Sequence, residues 1–235
     1  GFTGQFIEDE LHKEGIQTQF VNVDGITRIN VFTQVVSTSE EFKLVNQGPS
    51  VSQLQEEALL KIIENMNMED FLFVSGSHPE GITYTTYEKI AKTAQLRGFK
   101  LILDTSADFV PDLLKYRPYL IKPNDEELAE WFSLINPSLE EIKDCGQKLL
   151  EKGAENVLVS LGEKGAILFT PTETIHVTAP KGEVVNTACA GDTLLATFVG
   201  SQLLGLSNEE ALIKAVAAGS STAFRPGLTD FSDVP

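Results

Sequence analysis

Beyond residue 50 the chain alternates short apolar runs with amphipathic segments of helical length, and this rhythm limits the fold more tightly than any single motif. "DFLFVSGS" (70–77), "FKLILDTS" (99–106) and "YLIKPN" (119–124) read as strands with short apolar runs and polar ends, the first of them buried, and "ENVLVSLGEKG" (155–165) as a strand with a turn. "AILFTPTETIHVTAP" (166–180) adds strands joined by a turn. Segments 51–66, 83–98, 111–117, 125–134, 138–153, 190–206 and 208–224 read as helices, Leu54, Ala58, Leu59 and Ile62 forming the expected stripe of the first. Gly98 and Gly153 stand where helices stop. The alternation predicts an α/β fold, a mostly parallel sheet with helices on both faces. In such sheets ligands bind beyond the carboxyl ends of the strands. Four successive strands end in Ser75-Gly76-Ser77, Asp104-Thr105-Ser106, Lys122-Pro123-Asn124 and Ser160-Leu161-Gly162. Small, polar or charged residues aligned along one edge predict a binding cleft there.

The first fifth of the chain has another texture. Residues 1–15 read as a helix with Phe2, Phe6, Ile7 and Leu11 on one side. "QFVNVDG" (19–25) and "TRINVFTQVV" (27–36) alternate with period two, and "STSEE" (37–41) turns into "FKLVNQG" (42–48). Together they predict a small antiparallel element over about 20–48, attached to a single domain covering residues 1–235.

Of the 235 residues 42% are hydrophobic, enough for a core, and no run of 18 apolar residues marks a membrane span. The start has no basic, apolar leader pattern. Cys145 and Cys189 cannot build a disulfide framework, so a reducing, cytoplasmic setting is expected. A net charge of −16 argues against nucleic acid and anionic membrane partners. It leaves room for phosphate ligands held by backbone N–H groups and a few local cations.

The segment "VVNTACAGDTLLATFVG" (184–200) carries the chemistry best. Ala190 and Gly191 let the backbone approach a ligand closely, and a helix begins near Asp192. The first N–H groups of that helix have no internal partners and carry the positive end of its dipole, which makes an anion pocket. Spacing alone reads Asp192 first as a cap of the helix, and second as a group that accepts the proton of a hydroxyl attacking phosphorus. One carboxylate cannot serve both fully.

"NTACAGDTLLATF" resembles the second signature of the PfkB carbohydrate kinases, in the ribokinase superfamily. "GFTGQFI", "TRIN", "VSGSHPEGI", "ILDTS", "IKPNDEE", "SLGEKGA" and "AAGSSTAFRPGL" match in order, so the resemblance covers essentially the whole chain. "TRINV", "NQGP" and "IKPNDEEL" are most similar to the 1-phosphofructokinase and tagatose-6-phosphate kinase branch. The resemblance implies a ribokinase-like fold with a small β lid, and ATP- and Mg²⁺-dependent phosphorylation of a ketose monophosphate. Fructose 1-phosphate is the first choice and tagatose 6-phosphate the close alternative. A nucleoside or vitamin kinase and an inactive sugar-phosphate sensor are the rivals, opposed respectively by Arg28 and by the retention of Asp192, Asn124 and Glu127.

By the same resemblance Asp192 is the general base, and the backbone of Cys189, Ala190 and Gly191 is the anion hole for the γ-phosphate. Asn124 and Glu127 stand near Mg²⁺, acting through water, with Lys122 steadying phosphate charge. Ser160, Gly162 and Gly165 line the nucleotide loop, and Ala218 and Gly219 the adenine wall. Arg28 grips the substrate phosphate, and Ser75, Gly76 and Ser77 line the sugar site. Homodimer contacts through the β lid are also implied. Cys189 replaces a usual Gly, Thr197 a small residue and His78 a common Leu. Cys189 reads first as a tolerated small residue; as the alternative, a thiol at a helix start would have a lowered pKa and sensitivity to oxidation. The family's first strand, its Gly-Gly-Lys-Gly stretch and its C-terminal helix have no counterpart here, so incomplete coverage of a longer protein is expected.

Overall fold

The computed structural model describes residues 1–35 and 40–234. The chain divides into two compact units, Gly1–Asn67 with Ser77–Arg97, and Met68–Gly76 with Gly98–Pro235.

In the first unit, helix α1 (Phe2–Lys13) forms as its periodicity predicts, but none of its residues is buried and Phe2 stays 70% exposed. Strands β1 (Val31–Val35) and β2 (Glu40–Leu44) pair antiparallel, with Val31 opposite Leu44 and Thr33 opposite Phe42. The turn expected over 37–41 lies largely outside the described residues, and Glu40 and Glu41 already belong to β2. Residues 19–25 are not a strand. Alternation supplies no partner strand; instead the Asn22 carbonyl accepts from Gln55 Nε2 at 2.9 Å, and Gly25 turns the chain with φ of +120°. Ser52 and Gln55 close a capping box at the start of α2 (Gln53–Ile63). The buried side of α2 is rotated from the expected stripe: Leu59, Leu60, Ile62 and Ile63 turn inward while Leu54 and Ala58 are exposed. Glu56 sets this rotation by accepting from Thr86 (2.9 Å) and Lys89 (3.0 Å) of α3 (Tyr84–Arg97).

The second unit holds a six-stranded sheet in chain order: β3 (Phe71–Ser75), β4 (Lys100–Asp104), β5 (Leu120–Ile121), β6 (Val157–Ser160), β7 (Ala166–Phe169) and β8 (Thr174–Val177). β3 to β6 run parallel, and β7 and β8 are antiparallel additions. Among the described residues β3 is the end strand of the order, and Phe73 is 40% exposed. Helices α4 (Val110–Leu113), α5 (Asp125–Trp131) and α6 (Leu139–Glu151) precede β6, and α7 (Ala190–Leu203) and α8 (Asn208–Ala223) follow the sheet. Leu194, Leu195, Phe198 and Val199 of α7, with Ala211, Leu212, Ala215 and Val216 of α8, pack on Ile102, Leu120, Leu158 and Leu168. Each buried Leu, Ile, Val or Phe among these stabilises by about 1.5–3 kcal/mol, and truncating Phe198 to Ala would cost about 3–5 kcal/mol. Strand residues alternate faces, so Phe169 points the other way, where its ring lies against Gly146 of α6. Helices thus cover both faces. Among the described residues no helix is long and apolar enough to cross a membrane.

The parallel strands are knit together at their carboxyl ends. The Gly76 N–H donates to the Asp104 carbonyl (2.9 Å), that of Lys122 to Leu103 (2.9 Å) and that of Ser160 to Pro123 (3.1 Å). Asn124 and Ser160 form a further parallel bridge. The aligned edge expected from the four strand ends is therefore present.

Candidate active site

Helix α7 begins at this edge, and α8 fixes where it begins. The Val185 and Asn186 amides both donate to the Ala223 carbonyl (2.8 and 3.1 Å), and the Asn186 carboxamide receives the Ala188 N–H at 3.0 Å. Gly219 lets the two helices touch: a β-carbon there would stand 3.0 Å from the Ala190 carbonyl oxygen and 3.2 Å from Leu194 Cβ. Ala218 beside it is wholly buried. Ala218 and Gly219 thus both take part in packing α8 against its surroundings.

Cys189 is the N-cap of α7, with φ of +63° and no side-chain cap. A non-glycine residue in this left-handed conformation costs about 1–3 kcal/mol. The Ala190 N–H, expected to face a ligand, turns back to the Thr187 carbonyl at 3.3 Å. Among the described residues the amides of Cys189, Gly191 and Asp192 have no acceptor, so these three are the open donors at the start of α7.

Asp192 is the third residue of α7 and is exposed. It is not the cap, so its carboxylate is free of that duty. It accepts from the Cys189 thiol. Desolvation first, then the negative charge and hydrogen bond of Asp192, push that thiol up, opposite to the lowering expected at a helix start.

Under the first turn of α7 lies an ion pair that the motifs did not single out. Lys122 Nζ bonds Asp104 Oδ1 at 2.9 Å, with both side chains nearly buried. Nζ is 3.4 Å from where a Gly191 β-carbon would stand. Burial pushes the Asp104 carboxyl up; Lys122 pulls it down, and Asp192 and Glu127 push it up further. Three carboxylates and one ammonium therefore share the strand ends. The missed signal was "ILDTS" itself, an acid closing an otherwise apolar strand. Next to it the Thr105 hydroxyl is a buried polar atom without a partner among the described residues.

Asn124 and Glu127 make a capping box on α5. Asn124 Oδ1 accepts from the Glu127 N–H (2.7 Å), and Glu127 Oε2 from the Asn124 N–H (2.9 Å). Ser138 with Glu141 and Ser207 with Glu210 do the same at α6 and α8. Local geometry alone therefore does not separate the N-x-x-E from an ordinary helix start. What sets it apart is place: Glu127 is half-buried at the strand ends and acts on Asp104, whereas Glu141 and Glu210 are exposed. No group of three or more His, Cys, Asp or Glu among the described residues is arranged to ligate a metal directly. The acidic set fits a divalent cation that keeps its water shell, as Mg²⁺ does.

In the loop after β6, Gly162 has φ of +54° with open space around it, leaving its backbone accessible. Gly165 has a structural reason to be glycine: at φ of +89° any β-carbon would collide with the Val177 carbonyl of β8. Ser160 closes β6 and Ser75 closes β3, followed by Gly76 at φ of +81°. In the first unit, Arg28 Nη1 donates to Ser77 Oγ at 2.7 Å, joining two predicted substrate residues 49 positions apart. No carboxylate pairs with Arg28 among the described residues, in a chain with net charge −16.

The model of the pfkB family carbohydrate kinases matches residues 1–234. A Bacillus licheniformis D-tagatose-1-phosphate kinase is 50% identical, over 99% of this chain and 76% of its own. A Bacillus subtilis 1-phosphofructokinase is 38% identical over 97% and 74%. The crystal structure of Escherichia coli phosphofructokinase-2 in complex with substrates and products superposes with a TM-score of 0.89 at 26% identity, covering 95% of this chain and 74% of that one.

Proposed function

The chain belongs to the pfkB family of carbohydrate kinases, and from that membership we propose that it transfers the γ-phosphoryl group of ATP to the 6-hydroxyl of a ketohexose 1-phosphate. Fructose 1-phosphate, giving fructose 1,6-bisphosphate, is the substrate of this reading. Tagatose 1-phosphate is the second, favoured by the name of the 50% identical relative. The two sugars differ only in configuration at carbon 4, and the phosphate sits on carbon 1 rather than on the carbon 6 of the tagatose alternative considered from sequence.

The observation that carries the reading is the start of α7, where a carboxylate not used as the helix cap stands beside open amides and an ammonium. Asp192 accepts the proton of the sugar hydroxyl as its oxygen bonds to the γ-phosphorus. The bond from that phosphorus to the bridging oxygen breaks, and ADP leaves. The Cys189, Gly191 and Asp192 amides, with Lys122, stabilise charge on the transferring group. Mg²⁺, when bound, neutralises phosphate charge; Asn124 and Glu127 would hold it through water. Ser160, Gly162 and Gly165 shape the loop on the nucleotide side. Arg28 holds the sugar's own phosphate with its planar fork, while Ser75, Gly76 and Ser77 take hydroxyls. The β1–β2 hairpin excludes water as a lid. It is also the candidate dimer surface, since Val31, Phe42 and Leu44 share one exposed face.

The test is ADP release with a panel of fructose 1-phosphate, tagatose 1-phosphate, fructose 6-phosphate, tagatose 6-phosphate and ribose. The proposal expects kcat/KM for a ketohexose 1-phosphate at least tenfold above the rest, on the order of one well-placed phosphate contact. Equal turnover of ribose would end it.

A further inference from the structure

We propose that Asp104 is a positioning residue: its carboxylate holds the Lys122 ammonium against the first turn of α7, so that ammonium and amides meet the transferring phosphoryl group as one preformed cradle. This rests on the kinase reading and names a device within it.

The geometry is unusual in its electrostatics. A helix N-terminus carries partial positive charge, so a cation beside it is disfavoured. Yet Lys122 Nζ lies 3.4 Å from the β-position of Gly191, the second residue of α7. Its side chain is 7% exposed, and a lone ammonium so buried would be costly. Asp104 Oδ1, at 2.9 Å, is the ion-pair partner that lets it stay. Lysine has a flexible four-carbon stem, so without that anchor the charge has no fixed place. The arrangement becomes favourable on both sides when an anion enters in front of the Gly191 and Asp192 amides. Gly191 leaves that space open, and a side chain there would crowd Nζ. Asp104 would repel a phosphate itself, so its effect runs through Lys122.

A double-mutant cycle decides the matter. Asp104→Asn, Lys122→Met and the double variant are compared for melting temperature, kcat, KM for the ketose phosphate, and the ratio of affinities for the β,γ-imido analogue of ATP and for ADP. That ratio isolates the terminal phosphate. Each single change should lower kcat by about 10- to 100-fold, leave KM for the sugar phosphate within about twofold, and lower the affinity ratio. Adding Asp104→Asn to Lys122→Met should then cost nothing further, because the residue acts through a partner already gone. Asp104→Glu should recover part of kcat. Multiplied effects of the two changes, or a loss confined to melting temperature, would overturn the proposal. If Asp104→Asn alone does not fold, the double variant leaves no unpaired charge buried and is compared with Lys122→Met. Failure of the wild-type protein to phosphorylate any ketose phosphate would end the kinase reading, while the nucleotide affinity ratios still decide the pairing.

Discussion

Gly219→Ala tests whether the packing of α8 under α7 sets the geometry of the phosphate cradle. The new methyl would stand 3.0 Å from the Ala190 carbonyl oxygen and 3.2 Å from Leu194 Cβ, both on α7, whereas ordinary contact starts near 3.4 Å. The first turn of α7 must therefore retreat by about 0.4 Å, the difference between 3.4 and 3.0 Å. Misplacing reacting groups by about 1 Å costs on the order of 10²-fold in rate, so 0.4 Å corresponds to roughly sixfold. Stability should move little. Replacing a helical glycine by alanine gains about 1 kcal/mol, and overpacking costs about 1–3 kcal/mol. Kinetics at saturating ATP and sugar phosphate, beside a thermal melt, read both quantities. Gly200→Ala on α7, where a β-carbon meets nothing within 4 Å, is the control and should raise stability with unchanged kcat. Unchanged kcat in Gly219→Ala, together with a rise in Tm equal to that of the control, would refute the reasoning.

Cys189→Gly relieves the left-handed strain, about 1–3 kcal/mol, against about 0.4–1 kcal/mol of added freedom in the unfolded chain; calorimetry should show Tm higher by a few degrees. Arg28→Gln should raise KM for the sugar phosphate at least tenfold with kcat nearly unchanged, as expected for an anchor remote from the reacting hydroxyl. Stability should fall in acid. Hydrogen bonds from Ser232 and Arg225 hold Asp230 down, one from Ser221 holds Asp233 down, and Lys89 with Thr86 holds Glu56 down. Acids with depressed folded-state pKa values stabilise above their unfolded values, about 3.9–4.3, and lose that contribution as pH drops through the folded values. Asp104 has the opposite sign: its raised value favours the fold below the unfolded pKa, and that contribution disappears as pH rises through the folded one. Denaturant midpoints between pH 6 and pH 3 should decline, most steeply below about pH 4.

The strand and helix rhythm of residues 70–224 was legible because burial on both faces of a parallel sheet leaves a strong mark in composition. Residues 19–25 misled because alternation records a preference for extended backbone and not the presence of a neighbour to pair with. Leu54 and Ala58 misled in a related way: on α2 the buried side is decided by Glu56 reaching two residues of α3, a long-range bond that periodicity does not contain. At the site, the sequence identified the α7 junction and its acid. It could not show that the Ala190 amide is consumed by Thr187, nor that Cys189 takes a positive φ. Asp104 was named only as part of a polar strand end, and its pairing was missed because a lone acid there looks like a turn residue. Only the fold sets it 2.9 Å from a lysine 18 positions later.

The central claim is that Asp192 takes the proton while the amides around it hold the phosphate. Asp192→Asn keeps the shape and the amides and removes the base. The account predicts that this variant binds the β,γ-imido analogue of ATP about as tightly as the wild type and loses phosphoryl transfer by about 10²–10⁴-fold in single-turnover measurements. A transfer rate within about threefold of wild type would contradict it.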